Sequence, residues 1–178
     1  MANNILEDRE KRYNRIVELL YKYNLPILCG KINYPGNNKN TKEAQIAFLV
    51  LKEYIEQEFK DIIIHSEILK GQDGQSIIGV LKTDPLEAKK RAVYIEERNK
   101  IGRIFDIDIY DNKGYPIERG SVGRDRRSCI ICGKDTIECM RTNRHSKEEI
   151  LSKINSIIMD NDISWGGHED WILYRYIK

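Results

Sequence analysis

Apolar residues in the first third of the chain recur at the spacing of amphipathic helices. Residues 5–24 and 42–59 each carry an apolar stripe among charged neighbours, which predicts two helices, with Thr41 as the N-cap of the second. The apolar run at 25–34 between them predicts a strand that ends at the turn signal Pro35-Gly36.

Shorter apolar runs, rich in β-branched residues, follow the second helix. Residues 61–70 and 76–82 flank a Gly-containing turn, which predicts a β-hairpin. Asp84-Pro85 then suits the cap and first turn of a third helix that continues to about residue 98, with an extended segment at 92–96 as the alternative.

The next strand, in GRIFDIDIYD (102–111), alternates with period two. Its odd-numbered positions 105, 107 and 109 are apolar, whereas Asp106 and Asp108 share the opposite face. Two carboxylates this close repel unless a cation compensates them, so the pair indicates a divalent-metal site, most often Mg²⁺ in phosphate chemistry. The alternative is a solvent-facing edge strand with two hydrated carboxylates. A turn and a short returning strand at 115–118 follow.

The element order from residue 25 to residue 110 is strand, helix, strand, strand, helix, strand. This order predicts an α+β fold, with an antiparallel or mixed sheet, helices on one face and the split βαβ core of ferredoxin-like domains. A mixed sheet of the nucleotidyltransferase type, which also carries paired aspartates on a strand, is the alternative. Ser146 and Glu149 form a capping box before a C-terminal helix that runs to about residue 159.

Length and composition restrict the class of protein. The 178 residues predict a single domain, with a core at about 5–118, a Cys/His segment and helix at about 119–159 and a tail at 160–178. A net charge of +2 argues against a dedicated nucleic-acid binder, and no apolar run approaches the roughly 20 residues that cross a membrane. The polar N-terminus is unlike a secretory signal, so we expect a cytoplasmic protein with reduced cysteines. We expect Trp165, Trp171 and Tyr174 to pack or contact a partner, and His168 to be exposed.

Basic residues follow both the acidic strand and the first turn. The loop at 119–127 carries four arginines, whose guanidinium groups suit phosphate oxygens. Lys39 lies between the Pro-Gly turn and a helix N-terminus, where free backbone N–H groups can hold an anion. In both cases the alternative is a solvated basic loop.

Four candidate zinc ligands come next, namely Cys129, Cys132, Cys139 and His145. Three thiols and an imidazole are a sufficient ligand set for tetrahedral Zn²⁺, and Gly133 allows the tight turn of a zinc knuckle. In the alternative, the cysteines pack as small hydrophobes, while Arg141 and His145 face an active site.

Two blocks, GRIFDIDIYD and RRSCIICGKDTIECMRTNRH, resemble the citrate lyase holo-acyl-carrier-protein synthase family, the apo-citrate lyase phosphoribosyl-dephospho-CoA transferases. The resemblance runs from about residue 6 to about residue 158, with Pro35-Gly36, Lys39 and the Glu96 region as further blocks. It implies transfer from triphosphoribosyl-dephospho-CoA to a serine on the acyl carrier subunit of apo-citrate lyase, with release of diphosphate.

Within that reaction, residue type and order along the chain suggest roles for individual residues. Asp106 and Asp108 would hold Mg²⁺, and either of them, or Glu96, would accept the serine proton. The expected phosphate-binding residues are Arg103, Lys39, Arg127 and Arg141. The expected partners are the apo-citrate lyase acyl carrier protein and the triphosphoribosyl-dephospho-CoA donor, with no nucleic acid and no membrane. Two alternatives stay open: a zinc-containing binding module, and a nucleotidyltransferase that acts on another phosphate ester.

Overall fold

The computed structural model describes residues 2–164, so the tail with Trp165, His168, Trp171 and Tyr174 lies outside the described residues. None of the described helices is long and apolar enough to cross a membrane. The helices and strands are, in chain order, α1 (Ala2–Tyr23), β1 (Ile27–Ile32), α2 (Lys42–Glu58), β2 (Ile63–Gly71), β3 (Gly74–Leu81), α3 (Pro85–Glu97), β4 (Phe105–Tyr110), α4 (Thr136–Arg141) and α5 (Lys147–Ser164).

Within these residues, four strands form one sheet in the order β2-β3-β1-β4, and each neighbouring pair is antiparallel. The predicted α+β class and the antiparallel form of the sheet are confirmed, whereas a mixed sheet is wrong for the described part of the chain. Strand β1 is central, and its register with β4 sets Lys31 opposite Asp106 and Cys29 opposite Asp108.

The predicted helix caps are confirmed. The Thr41 hydroxyl accepts the N–H of Ala44 at 3.2 Å at the start of α2. Asp84 accepts the N–H of Leu86 at 2.9 Å at the start of α3, where Pro85 occupies the first turn. Before α5, the backbone N–H of Ser146 donates to the carboxylate of Glu149 at 2.7 Å, and the backbone N–H of Glu149 donates to the hydroxyl of Ser146 at 3.1 Å, which is the reciprocal capping box.

Helices cover both faces of the sheet. The two helices between the strands, α2 and α3, pack on one face as predicted. Helix α1 packs on the opposite face, where its Ile16 and Leu19 meet Ile27 and Cys29 of β1. The prediction of helices on one face only is therefore wrong. Successive residues of β1 point to opposite faces, and Ile27, Leu28 and Cys29 are all buried, so both faces need an apolar cover.

Side chains, rather than another strand, close the outer edge of β4. The N–H of Ile107 donates to Glu96 at 3.0 Å, and its carbonyl accepts from Lys89 Nζ at 3.1 Å. Arg127 donates to the carbonyl of Phe105 at 2.6 Å. These contacts satisfy backbone groups that an open edge would offer to another chain.

Two predicted boundaries around β4 are wrong. The strand begins at Phe105 rather than Gly102, because residues 101–104 form a 3-10 helix packed on the end of α3. A Cβ at Gly102 would lie 2.5 Å from the carbonyl oxygen of Ile95, so the close approach requires glycine. The returning strand at 115–118 is reduced to one bridge between Tyr110 and Pro116. Ile117 still donates to the carbonyl of Ile109 at 2.7 Å, but the next outward-facing backbone groups of β4, at Ile107, are bound by Glu96 and Lys89.

Candidate active site

An open cleft of about 430 Å³ lies on the α1 side of the sheet, between α1, β1 and β4. Its lining combines three acidic with four basic side chains. The charged residues of the lining are Arg9, Arg12, Lys31, Lys39, Asp73, Asp106 and Asp108. Such a lining suits a ligand that carries several negative charges and a metal ion.

Asp106 and Asp108 face this cleft together, because the period of β4 places both side chains on the face opposite the buried Phe105, Ile107 and Ile109. Each carboxylate is about two-fifths exposed, at 40% and 39%. Lys31, on the neighbouring strand, hydrogen-bonds Asp106, and its Nζ lies 3.8 Å from an oxygen of Asp108. The alternation along the strand predicted correctly that the two carboxylates share a face, but nothing in it identified Lys31 as their partner.

The charges of this group are not fully balanced. Burial, followed by the charge of Asp106, raises the pKa of Asp108, although Lys31 acts in the opposite direction. For Lys31, burial lowers the pKa, but the charge and hydrogen bond of Asp106 outweigh it, so the pKa is raised overall. One ammonium group therefore contacts both carboxylates, and burial still disfavours the ionised form of Asp108.

Two arginines of α1 contribute a positive wall to the cleft. Arg9 and Arg12 both bind Asp73, in the turn between β2 and β3, at 3.2 and 2.7 Å. Burial would raise the pKa of Asp73, but the hydrogen bonds from the two arginines outweigh it and lower that pKa. Sequence reasoning missed these residues. The spacing of Arg9 and Arg12 puts them on one helix face, but nothing local identifies a partner 61 or more residues away.

Lys39 is the one predicted phosphate-binding residue that lines this cleft. Its Nζ donates to the carbonyl of Tyr34. Burial lowers the pKa of Lys39, and its neighbours include the charges of Asp73 and Arg9. The structure therefore brings Lys39 into the same charged lining as Asp106 and Asp108.

The structure places Glu96 at the outer edge of β4 rather than in the cleft lining. Its side chain is 3% exposed, accepts the N–H of Ile107 and pairs with Arg119 at 2.5 Å and with Arg127. Arg119 is also bound to Glu97. These contacts tie the loop after β4 to α3 and β4.

The other predicted phosphate-binding arginines also lie outside the cleft lining. Arg103 donates to the carbonyl of Ser128 at 2.6 Å, and Arg127 is occupied by Glu96 and the carbonyl of Phe105. Arg141 is exposed at the end of α4. The structure thus brings together Lys39 and the two aspartates, but not the three arginines or Glu96.

A separate group of side chains contains the four predicted zinc ligands. One ligand atom each from Cys129, Cys132, Cys139 and His145 lies within 4.8 Å of all the others. The Sγ atoms of Cys132 and Cys139 are 3.5 Å apart, and Nε2 of His145 is 3.3 Å from Sγ of Cys132. The predicted grouping of these residues is therefore present in space.

A cleft that combines paired carboxylates with several basic side chains is the kind of site that enzymes use for phosphoryl and nucleotidyl transfer. The chain belongs to the apo-citrate lyase phosphoribosyl-dephospho-CoA transferase family, whose family model matches residues 1–161. The family identified from the sequence is thereby confirmed. Its class is a transferase, which favours the enzyme over the zinc-containing binding module.

Curated relatives with similar names match most of this chain. A probable apo-citrate lyase phosphoribosyl-dephospho-CoA transferase of Vibrio cholerae is 27% identical over 160 residues, covering 88% of this chain and 90% of the relative. One of Streptococcus pyogenes is 27% identical over 161 residues, covering 88% of this chain and 84% of the relative. A Haemophilus influenzae protein named CitXG is 26% identical over 163 residues; the match covers 90% of this chain but 35% of that longer relative.

Proposed function

We propose that this chain transfers the phosphoribosyl-dephospho-CoA group from a triphosphoribosyl-dephospho-CoA donor to a serine of the apo-citrate lyase acyl carrier protein. Family membership supports the identity of the group and the acceptor. Among the residues themselves, the carboxylate pair in a cleft lined by four basic side chains is the main support for this function. The serine oxygen forms a bond to the phosphorus next to the ribose, and the bond from that phosphorus to diphosphate breaks.

Asp106 and Asp108 are the residues that would hold Mg²⁺. Their side chains face one cleft, and burial together with the charge of Asp106 raises the pKa of Asp108, so a cation bound beside it would stabilise its ionised form. Bound Mg²⁺ would neutralise charge on the triphosphate. The long, flexible side chain of Lys31 allows it to exchange a carboxylate contact for a phosphate oxygen.

The basic wall of the cleft is suited to the departing diphosphate. Asp73 holds Arg9 and Arg12 in position, so their guanidinium groups are ordered before a ligand arrives. Lys39 adds a further positive group to the same lining. Arg103, Arg127 and Arg141 remain predictions as phosphate ligands, and their contacts outside the cleft give them less support than these residues have.

We assign the acceptance of the serine proton to Asp108. Its carboxylate faces the cleft, and in the metal-free protein its pKa is raised, which makes it a stronger base than an ordinary aspartate. One of its two oxygens would bind Mg²⁺, and the other would take the proton. Of the other two residues predicted for this role, Asp106 is hydrogen-bonded by Lys31, and Glu96 is already bound by two arginines.

A second groove, of about 680 Å³, continues the cleft and suits the rest of the donor. The two share Tyr13, Ile16 and Tyr110 in their lining, and Tyr21 and Tyr115 add further aromatic surface to the groove. Aromatic side chains stack on nucleobases, so this groove would take the adenine and pantetheine part of dephospho-CoA.

The proposal also covers the setting of the reaction. An acidic carrier protein would be attracted to the basic side of the cleft, and reduced thiols fit the cytoplasmic location expected above.

We infer further that the core is a ferredoxin-like split βαβ unit. The element order and the strand order β2-β3-β1-β4 support this inference.

The direct test measures diphosphate release with apo acyl carrier protein, donor and Mg²⁺. Asp106→Asn and Asp108→Asn should each lower the rate by about 10²-fold or more, since each removes a carboxylate that faces the reacting phosphates. Asp125→Asn, at an exposed aspartate outside the cleft lining, is the matched control and should keep the wild-type rate. Near-normal rates in both folded cleft variants would rule out the assigned roles.

A further inference from the structure

We propose that Cys129, Cys132, Cys139 and His145 bind one structural Zn²⁺ that holds the segment after the arginine loop against the edge strand β4. The ligand atoms already lie within 4.8 Å of one another. Tetrahedral zinc with Zn–S bonds near 2.3 Å requires sulfur atoms about 3.8 Å apart. The observed separation of 3.5 Å between Cys132 and Cys139 needs only a small adjustment.

The backbone around the first two cysteines is shaped for a metal knuckle. Cys129 donates its N–H to the carbonyl of Lys134 at 2.6 Å, and its carbonyl accepts the N–H of Gly133 at 2.9 Å. Gly133 has a φ of +73°, which residues with a Cβ rarely adopt. This tight turn directs the thiols of Cys129 and Cys132 toward Cys139 and His145.

The segment around these ligands has little buried apolar surface. Among residues 119–146, only Cys129 and Cys139 are buried, so the segment has almost no apolar core of its own. Small units with little core are commonly stabilised by a metal, because the binding energy then contributes directly to folding. The thiols lose their protons to solvent as zinc binds.

A chain of hydrogen bonds leads from the zinc-binding segment to the cleft strand β4. Thr136 donates to the carbonyl of Arg127 at 2.7 Å, and Arg103 donates to the carbonyl of Ser128 at 2.6 Å. Arg127 in turn donates to Phe105, the residue before Asp106. Four protein ligands leave no open position on zinc, and the lining of the cleft includes none of these four residues. The ion would therefore position the strand and not take part in the transfer.

Metal content is the test, and it does not depend on transferase activity. The full chain, purified under reducing conditions after expression with zinc, should contain about one zinc per chain. Cys132→Ser should lose most of it, and the exposure of Cys132 means that little packing is lost. Cys29→Ala, at the cysteine buried under α1, is the matched control and should retain the zinc.

Stability and thiol titration complete the test. A zinc chelator should lower the melting temperature of the wild type by several degrees, and added Zn²⁺, but not Mg²⁺, should restore it. All four cysteines should titrate as free thiols after denaturation with chelator. A wild-type protein without zinc, unchanged zinc in Cys132→Ser, or two missing thiols from a Cys132–Cys139 disulfide would each overturn the proposal.

Discussion

Asp108 is held at a raised pKa by burial and by the charge of Asp106, with Lys31 acting in the opposite direction. Its ionised form is therefore less favourable in the folded chain than in the unfolded chain. A residue that lowers stability in this way is common where a charged ligand or metal supplies the missing compensation.

Replacing Asp108 by asparagine should stabilise the free protein while it reduces transfer. The folded-state pKa lies above the unfolded value of about 4, so stability falls as pH rises through that window and stays lower at neutral pH. Asp108→Asn has no carboxyl group at this position, so its stability does not fall with pH for this reason. Urea unfolding at pH 7 should show a larger free energy of unfolding for Asp108→Asn than for the wild type. The difference should shrink below about pH 4, and a variant that is less stable at pH 7 would contradict this view of the site.

Removing the charge of Lys31 should shift the pH dependence of the reaction. Lys31 lowers the pKa of Asp108, so Lys31→Met should raise that pKa further and move the acidic limb of the rate profile to higher pH. The profile of kcat against pH measures this. Lys90→Met is the matched control, because Lys90 pairs with Glu87 on the exposed face of α3. An unmoved acidic limb in Lys31→Met would show that Asp108 is not the titrating base.

For individual residues, the sequence predicts which side chains share a face of a strand, but not which charged side chains on neighbouring strands contact each other. The period of β4 is enough to place Asp106 and Asp108 together. Lys31 faces Asp106 only because of the register between β1 and β4, which the alternation within each strand does not determine.

Among the elements, β4 depends on side chains from α3 and from the loop that follows it. Glu96 accepts the N–H of Ile107 and binds Arg119 and Arg127, so it links the helix, the strand and the loop. Glu96 was one of three candidate bases predicted from the sequence, and these contacts favour a structural role for it.

Neutralising Glu96 should therefore destabilise the fold. Glu96→Gln removes the carboxylate that pairs with Arg127 and one of the two that pair with Arg119, and we expect a loss of roughly 2–4 kcal/mol in the free energy of unfolding. Denaturant titration measures this loss. Glu97→Gln is the matched control, since the partly exposed Glu97 shares Arg119 and should lose under about 1 kcal/mol. Equal, small losses in the two variants would show that Glu96 does not anchor the edge.

Helix starts were predictable because caps are local. Thr41, Asp84 and Ser146 each act within three residues of themselves. The 3-10 helix before β4 was not predictable, because it depends on the contact of Gly102 with the end of α3. The position of α1 on the second face was not predictable either. Its apolar stripe shows that the helix packs against other residues, but not which face of the sheet it covers.

For the whole molecule, the cleft is assembled from α1, the central strand, the edge strand and the β2–β3 turn. Its basic residues are therefore widely separated in sequence, and no motif would identify them together. Family resemblance supplied the reaction, while the structure supplied the residues that surround it.

The combined cleft and groove should distinguish the coenzyme-derived donor from simple nucleotides. Both ligands carry a triphosphate, but only the donor has an arm that extends along the aromatic groove. Thermal-shift measurements in Mg²⁺ should show a larger rise in melting temperature with the donor than with ATP at equal concentration. Tyr21→Ala, in the groove, should reduce that difference. A larger shift with ATP would favour a nucleotidyltransferase for another phosphate ester.

Mass spectrometry of the acyl carrier protein tests the proposed reaction most directly. Apo carrier incubated with this chain, Mg²⁺ and triphosphoribosyl-dephospho-CoA should gain the mass of one phosphoribosyl-dephospho-CoA group on a serine, with diphosphate released in equal amount. The folded Asp106→Asn protein should give almost no adduct in the same time. An unmodified carrier with the folded wild type, or equal modification by Asp106→Asn, would contradict the function assigned to this cleft.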